Sequence, residues 1–222
     1  MKLNHYIDHT LLKATATETD ILTLCDEAIA HSFKAVCVNS CYVPLAARKL
    51  AGTNIGLAAV VGFPLGATST ETKVHEADWC RVQGATEIDM VLNIGMLKSG
   101  KHSAVQSEIT NVKEAIGSTI LKVILETCYL SDEEIVAACT LAVAAGADFV
   151  KTSTGFGSGN ATPQAVQLMK KTVADRAQIK ASGGIRTYET ALAYVQMGAT
   201  RIGTSSGVTI VTQKPSSHEP SY

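Results

Sequence analysis

Two lysines each close a short apolar run and are followed by small or hydroxyl residues. Lys151 sits in Phe149-Val150-Lys151-Thr152-Ser153-Thr154-Gly155, and Lys180 in Ile179-Lys180-Ala181-Ser182-Gly183-Gly184-Ile185-Arg186. A lysine in a strand-like run is costly, because burial strips the ammonium of its hydration. One such lysine would be read as snorkelling to solvent from an edge strand. Two in matched settings point to a shared core, where mutual repulsion favours the neutral amine and lowers a pKa toward working pH. A neutral lysine amine is the species that forms a Schiff base with a carbonyl substrate.

A carboxylate fits beside them. Asp89 lies in the otherwise apolar run Ile88-Asp89-Met90-Val91-Leu92, and a buried acid needs a partner. Lys151 or Lys180 could fill that need in a structural ion pair. Alternatively, Asp89 moves protons, directly or through a water, in a carbon–carbon cleavage that needs a base for the substrate hydroxyl and an acid for the enamine carbon. Lys122, in Leu121-Lys122-Val123-Ile124, is a candidate to hold Asp89, with an exposed edge lysine as the alternative. The glycine turns Ser182-Gly183-Gly184 and Gly203-Thr204-Ser205-Ser206-Gly207 suit close approach of backbone N–H groups to an anion, and imply a phosphorylated substrate. His5 and His9 are four apart, but no metal-ligand signature accompanies them, so no metal and no cofactor is expected.

These residues need elements to hold them. Strand patterns cover 35–39, 56–62, 87–93, 121–127, 149–153, 179–183 and 201–205, with 5–10 as a weaker eighth. Helical patterns cover 18–32, 69–84, 103–116, 131–145, a stretch opening at Thr162-Pro163, and 187–197. Ser131 with Glu134 has capping-box spacing. Gly84-Ala85, Gly146-Ala147 and Gly198-Ala199 each join a helix end to the next strand, as short loops of parallel βα units do. Eight such units close into a single-domain α/β (β/α)8 TIM barrel over 1–212, followed by a polar tail, 213–222, expected to be mobile. An open doubly wound sheet is the alternative, but no G-x-G-x-x-G follows the first strand. With Lys151 phased inward, Ser153, Lys180, Ser182, Glu87, Asp89, Lys122, Glu126, Cys37, Asn39, Asp8 and Thr10 share the lumen.

The bulk numbers agree. The chain has 222 residues, 46% of them hydrophobic, and a formal net charge of −1. That excludes a basic nucleic-acid binder and leaves one large core. No apolar run approaches a membrane span. Six cysteines without a C-x-x-C pair read as thiols of a reducing compartment, so a cytoplasmic protein is expected.

Asp148-Phe149-Val150-Lys151-Thr152-Ser153-Thr154-Gly155-Phe156, with Asn160-Ala161-Thr162 after it, resembles the Schiff-base segment of deoxyribose-phosphate aldolases. Tyr6-Ile7-Asp8-His9-Thr10-Leu11-Leu12, Leu121-Lys122-Val123-Ile124-Leu125-Glu126-Thr127 and Lys180-Ala181-Ser182-Gly183-Gly184-Ile185-Arg186-Thr187 match the same family in order. The resemblance implies a metal-independent barrel that cleaves 2-deoxy-D-ribose 5-phosphate to D-glyceraldehyde 3-phosphate and acetaldehyde. It implies Lys151 as Schiff-base former, Lys180 as the lysine lowering its pKa, Asp89 as acid/base and Lys122 in the same relay. It further implies phosphate contacts at Gly155, Gly183, Gly184, Ser205 and Ser206, a hydroxyl pocket at Asp8 and Thr10, and a pocket cysteine at Cys37. Thr152 is a further substrate-binding candidate, and Tyr222, an aromatic hydroxyl at the end of the tail, is a candidate proton shuttle. Phe156 departs from members that carry a lysine near the phosphate. The partner implied is a small phosphorylated sugar, with room for a homodimer. Another Schiff-base aldolase, of fructose-bisphosphate or transaldolase type, and a non-catalytic phosphate-binding barrel are the rival readings.

Overall fold

The computed structural model describes residues 1–213. Eight parallel strands form a closed barrel in chain order: β1 Ile7–Leu11, β2 Ala35–Val38, β3 Gly56–Val61, β4 Glu87–Val91, β5 Ile120–Ile124, β6 Phe149–Lys151, β7 Gln178–Ser182 and β8 Arg201–Thr204. Around them run α1 Glu18–His31, α2 Val43–Leu50, α3 Thr70–Val82, α4 Ile94–Lys98, α5 His102–Ile116, α6 Asp132–Ala144, α7 Pro163–Val173, α8 Tyr188–Gln196 and α9 Gly207–Thr212.

The strand pattern read from sequence holds, with ends moved by one to three residues. His5 falls in a 3-10 turn ahead of β1, not in the strand. Three short helices carried no sequence expectation. Two of them, α4 and α9, are five and six residues long and too short for a period to show; α2 is eight residues long and begins with Pro44 near its first position. The helix starts follow local chemistry. Thr17 and Ser131 each complete a capping box, with Asp20 and Glu134. Ser69, Thr162 and Thr187 cap α3, α7 and α8 through their hydroxyls.

Strand residues alternate between two environments. Ile88, Met90, Leu121, Val123, Val150, Ile179, Ala181 and Ile202 join the apolar layer beneath the helices. The others point to the lumen, as the inward phase of Lys151 requires. Following the register from β4 to β6, β8, β2 and back, each step of two strands climbs two residues, the stagger that closes an eight-stranded barrel. The lumen therefore fills in layers from alternate strands. Glu87, Phe149, Arg201 and Ala35 lie lowest, Asp8, Ala58, Lys122 and Lys180 above them, and Asp89, Lys151, Gly203 and Cys37 above those.

Replacing Ser131 by Ala removes the α6 cap without touching the lumen. Its unfolding midpoint in urea should fall by the equivalent of about 1 kcal/mol at unchanged slope.

Candidate active site

The lumen holds a buried network of opposite charges. Asp89 has no exposed side-chain surface and meets three lysines: Lys122 Nζ at 2.6 Å from Oδ1, and Lys180 and Lys151 Nζ at 2.8 and 2.9 Å from Oδ2. Lys180 also lies 2.6 Å from Asp8 Oδ2, and Lys122 lies 2.5 Å from Glu87 Oε2. The edge-lysine alternative for Lys122 fails, since its side chain is wholly buried. Asp89's partner is likewise not one lysine or the other but both, with Lys122 added.

Arg201 had no role assigned from sequence. Its guanidinium reaches Asp8 Oδ1 and Glu87 Oε1, both at 2.6 Å, and stacks 5.5 Å from the Phe149 ring centroid. The signal was available: an arginine opening the last apolar run is in inward phase with Gly203. Gly203 makes a further contribution. A Cβ there would sit 3.0 Å from Lys180 Cε and 2.9 Å from Ser182 Cβ, so the bare glycine leaves room for the Lys180 stem.

The environment separates the three lysines. Burial disfavours the ammonium at each of them. At Lys180 the carboxylates of Asp8 and Asp89 outweigh burial and raise the pKa. At Lys122 Asp89 and Glu87 do the same, against the opposing charge of Lys180. At Lys151 burial wins: Asp89 pulls upward, Lys180 pushes down, and the net pKa is lowered. Repulsion by Lys180 is thus a contributor, and burial the larger cause. Asp89 is held well below the usual carboxylate range, because its lysines overcome the burial that would raise it. Asp8, under the same opposition from Lys180, Lys122 and Arg201, falls to about 2.

Above this network the mouth is formed by loops. Glu126, at the end of β5, is buried, and accepts the Thr154 N–H at 3.2 Å and the Thr154 hydroxyl. Phe156 N–H in turn donates to Thr154 Oγ1 at 3.0 Å. The Gly183-Gly184 turn has φ of +92° and +72°, open to glycine and strained for other residues. Its Gly183 carbonyl accepts from Ala161 N–H of the preceding loop, and the Thr204 hydroxyl donates to the Ile185 carbonyl from the end of β8. The ends of β6, β7 and β8, carrying Gly155, Gly183, Gly184, Ser205 and Ser206, are therefore tied together. Ser153 Oγ and Ser206 Oγ are buried there without a hydrogen-bond partner among the described residues.

Other expected contacts are placed differently. The Thr152 hydroxyl bridges to the backbone of Ser182, and the Thr10 hydroxyl donates to the Asp8 carbonyl. Both hydroxyls are engaged with backbone. Asn39 donates to the Leu12 carbonyl at the rim. Cys37 lines the lumen with Leu12, Ala58 and Val60, its thiol pushed up by burial. His9 faces outward, as its strand phase requires, and pairs with Glu27 of α1 at 2.6 Å. Tyr222 lies outside the described residues.

The family described as "DeoC/LacD family aldolase" matches residues 3–213. The chain belongs to that family. It is 55% identical over 214 residues to a deoxyribose-phosphate aldolase of Carboxydothermus hydrogenoformans, covering 95% of this chain and 94% of that one. It is 56% identical to one of Finegoldia magna, covering 95% and 99%. Among solved structures, the tetrameric deoxyribose phosphate aldolase of Aeropyrum pernix superposes with a TM-score of 0.88 at 34% identity, covering 95% and 90%. In this aldolase fold the charged lumen runs up from Glu87 and Arg201 at the starts of β4 and β8 to Lys151 at the end of β6, and the tied loops sit at the carboxyl ends of the strands, the face where barrels of this kind do chemistry.

The lowered Asp8 pKa has a sign in stability. Folding favours its anion, so the contribution is complete above the unfolded value of about 4 and is lost as pH falls toward 2. Urea midpoints measured across that window should drop in the parent, and drop less in Asp8→Asn.

Proposed function

We propose that this chain is a deoxyribose-phosphate aldolase that works through a Schiff base on Lys151, reversibly cleaving 2-deoxy-D-ribose 5-phosphate to D-glyceraldehyde 3-phosphate and acetaldehyde. The observation that carries the reading is the contrast among the three lysines that meet Asp89 in the lumen: two are held charged by carboxylates, and of the three only Lys151 is pushed toward the neutral amine.

The neutral amine adds to the aldehyde carbon of the open-chain sugar to give a carbinolamine, which loses water to an imine, and a proton from solvent converts the imine to the iminium. Asp89, directly or through a water, takes the proton of the C3 hydroxyl. The C2–C3 bond then breaks, its electron pair passing into the iminium to give an enamine, and glyceraldehyde 3-phosphate leaves. Protonation of the enamine carbon and hydrolysis release acetaldehyde and restore Lys151. Lys180 and Lys122 keep Asp89 ionised and placed. Asp8 holds Lys180 charged and lines the hydroxyl pocket, with Thr10 shaping it and Cys37 closing its apolar side. The 5-phosphate is assigned to the tied turns at Gly155, Gly183, Gly184, Ser205 and Ser206, whose backbone and free hydroxyls supply donors. The reading assigns no metal and no cofactor.

Among the described residues no helix is long and apolar enough to cross a membrane. The free thiols of all six cysteines support a reducing, cytoplasmic setting. A homodimer is the assembly proposed, and the tetrameric relative supplies the other arrangement to compare by sedimentation.

Three measurements test the chemistry. Borohydride reduction with acetaldehyde should leave an ethyl adduct on Lys151, and an adduct on Lys180 instead would reverse the assignment. Lys180→Leu removes a positive neighbour, so the basic limb of imine formation should move to higher pH. Asp89→Asn should slow cleavage by roughly 10²–10⁴, the usual worth of general acid–base help, and near-parental turnover would assign the proton transfer elsewhere.

A further inference from the structure

Outside the barrel lies a second buried ion pair that the Schiff-base chemistry does not use. Lys73 of α3 and Glu108 of α5 have no exposed side-chain surface, and their charged atoms are 2.6 Å apart. Lys73 Nζ also donates to the Val91 carbonyl at 2.9 Å. A buried pair is commonly no more stabilising than apolar side chains of equal volume, so its presence calls for a reason other than stability.

The reason lies where β3 ends. β3 pairs with β4 only as far as Val61 opposite Met90. The chain then turns away at Gly62, with φ of +60°. Leu92 N–H bonds the Ile124 carbonyl of β5, and successive strand residues aim their backbone groups at opposite neighbours. Val91's carbonyl thus faces the side that β3 has left. Lys73 supplies the donor that the missing strand would have given.

The departing loop is wrapped on that lysine. A Cβ on Gly62 would sit 2.8 Å from Lys73 Cε, and Gly62 N–H donates to Glu76 Oε2 of α3 at 2.9 Å. A Cβ on Gly66 would sit 2.0 Å from the Leu92 carbonyl oxygen, so the loop also rests on the end of β4. Between these two contacts is Phe63. Its ring packs on the lumen residues Leu12, Cys37, Ala58 and Val60, and meets Phe156 edge-on at 5.3 Å and 86°. Phe156 follows β6, three strands away, so the two rings meet across the mouth.

We propose that Lys73, paired with Glu108, is a positioning residue: it seats loop 62–66 on the end of β4 and so sets Phe63 in the wall of the substrate pocket. An ammonium suits the task because its donors fix one geometry between a carboxylate and a carbonyl, where an apolar stem would fill the space and leave Val91 unpaired. The proposal rests on the aldolase reading, because its readout is the binding of deoxyribose 5-phosphate.

The test is a mutant cycle. Lys73→Met with Glu108→Leu replaces both charges by apolar chains of similar size and leaves no lone buried charge. KM for deoxyribose 5-phosphate should rise about tenfold, with kcat within about twofold and the yield of the Lys151 adduct with acetaldehyde unchanged. Phe63→Ala should raise KM by a similar factor, and adding it to the double variant should raise KM no further, since both changes act through one ring. Gly62→Ala presses on Lys73 from the loop side and gives an independent variant, with the same rise expected. A parental KM in either folded variant, or KM effects that multiply with Phe63→Ala, would overturn the proposal. Failure of the parent protein to form the Lys151 adduct would instead overturn the aldolase reading.

Discussion

Burying Asp89 among three lysines is the constraint on which the rest of this molecule depends. Asp8, Glu87 and Asp89 supply three negative charges in the lumen, and Lys122, Lys180 and Arg201 supply three positive ones. Lys151 is the fourth base, and the network is balanced when its amine is neutral. In a poorly polarisable interior an unmatched charge is expensive. The group whose proton is least supported is the one that the proposed chemistry needs unprotonated. The low pKa of Lys151 follows from burial and charge balance in the whole lumen, and not from one neighbour.

That balance requires a closed barrel. The stagger places Asp89 and Lys151 in one layer, with Lys122 and Lys180 in the layer beneath, so lysine stems rise toward a single carboxylate from below. Gly203 leaves the space that the Lys180 stem fills. The lower layer of Glu87, Arg201 and Phe149 closes the base. Arg201 joins Asp8 to Glu87 and so connects the first strand to the fourth through the eighth. A slip of one residue on any of these strands would turn its charge outward into the apolar layer.

The rim is built by a different rule. Its loops are held by hydrogen bonds from buried side chains at strand ends and on an outer helix. Glu126 holds Thr154, Thr204 holds the turn after β7, and Lys73 holds the end of β4. The core thus positions the Lys151 amine, while tethers from the rim and the outer helices shape the opening above it.

Much of this was legible in the residue order. Apolar runs separated by capped helices, with Gly-Ala joints, implied parallel βα units, because caps and C-terminal glycines act within a few residues of the chain. Alternation about Lys151 named most of the lumen, since strand side chains change face at every residue. The short helices α4 and α9 escaped, as fewer than two turns carry no period. Sequence alone also left open which groups pair. Asp89 and Lys180 are 91 residues apart and Arg201 and Asp8 are 193 apart, and no local pattern reports a contact made by closing a sheet on itself. The charge state of each lysine was decided at that same level, because desolvation and distance to a carboxylate exist only after the strands have been brought into register. Residue types offered buried lysines suited to a Schiff base; the tertiary structure decided which of those in the lumen is pushed toward the neutral amine.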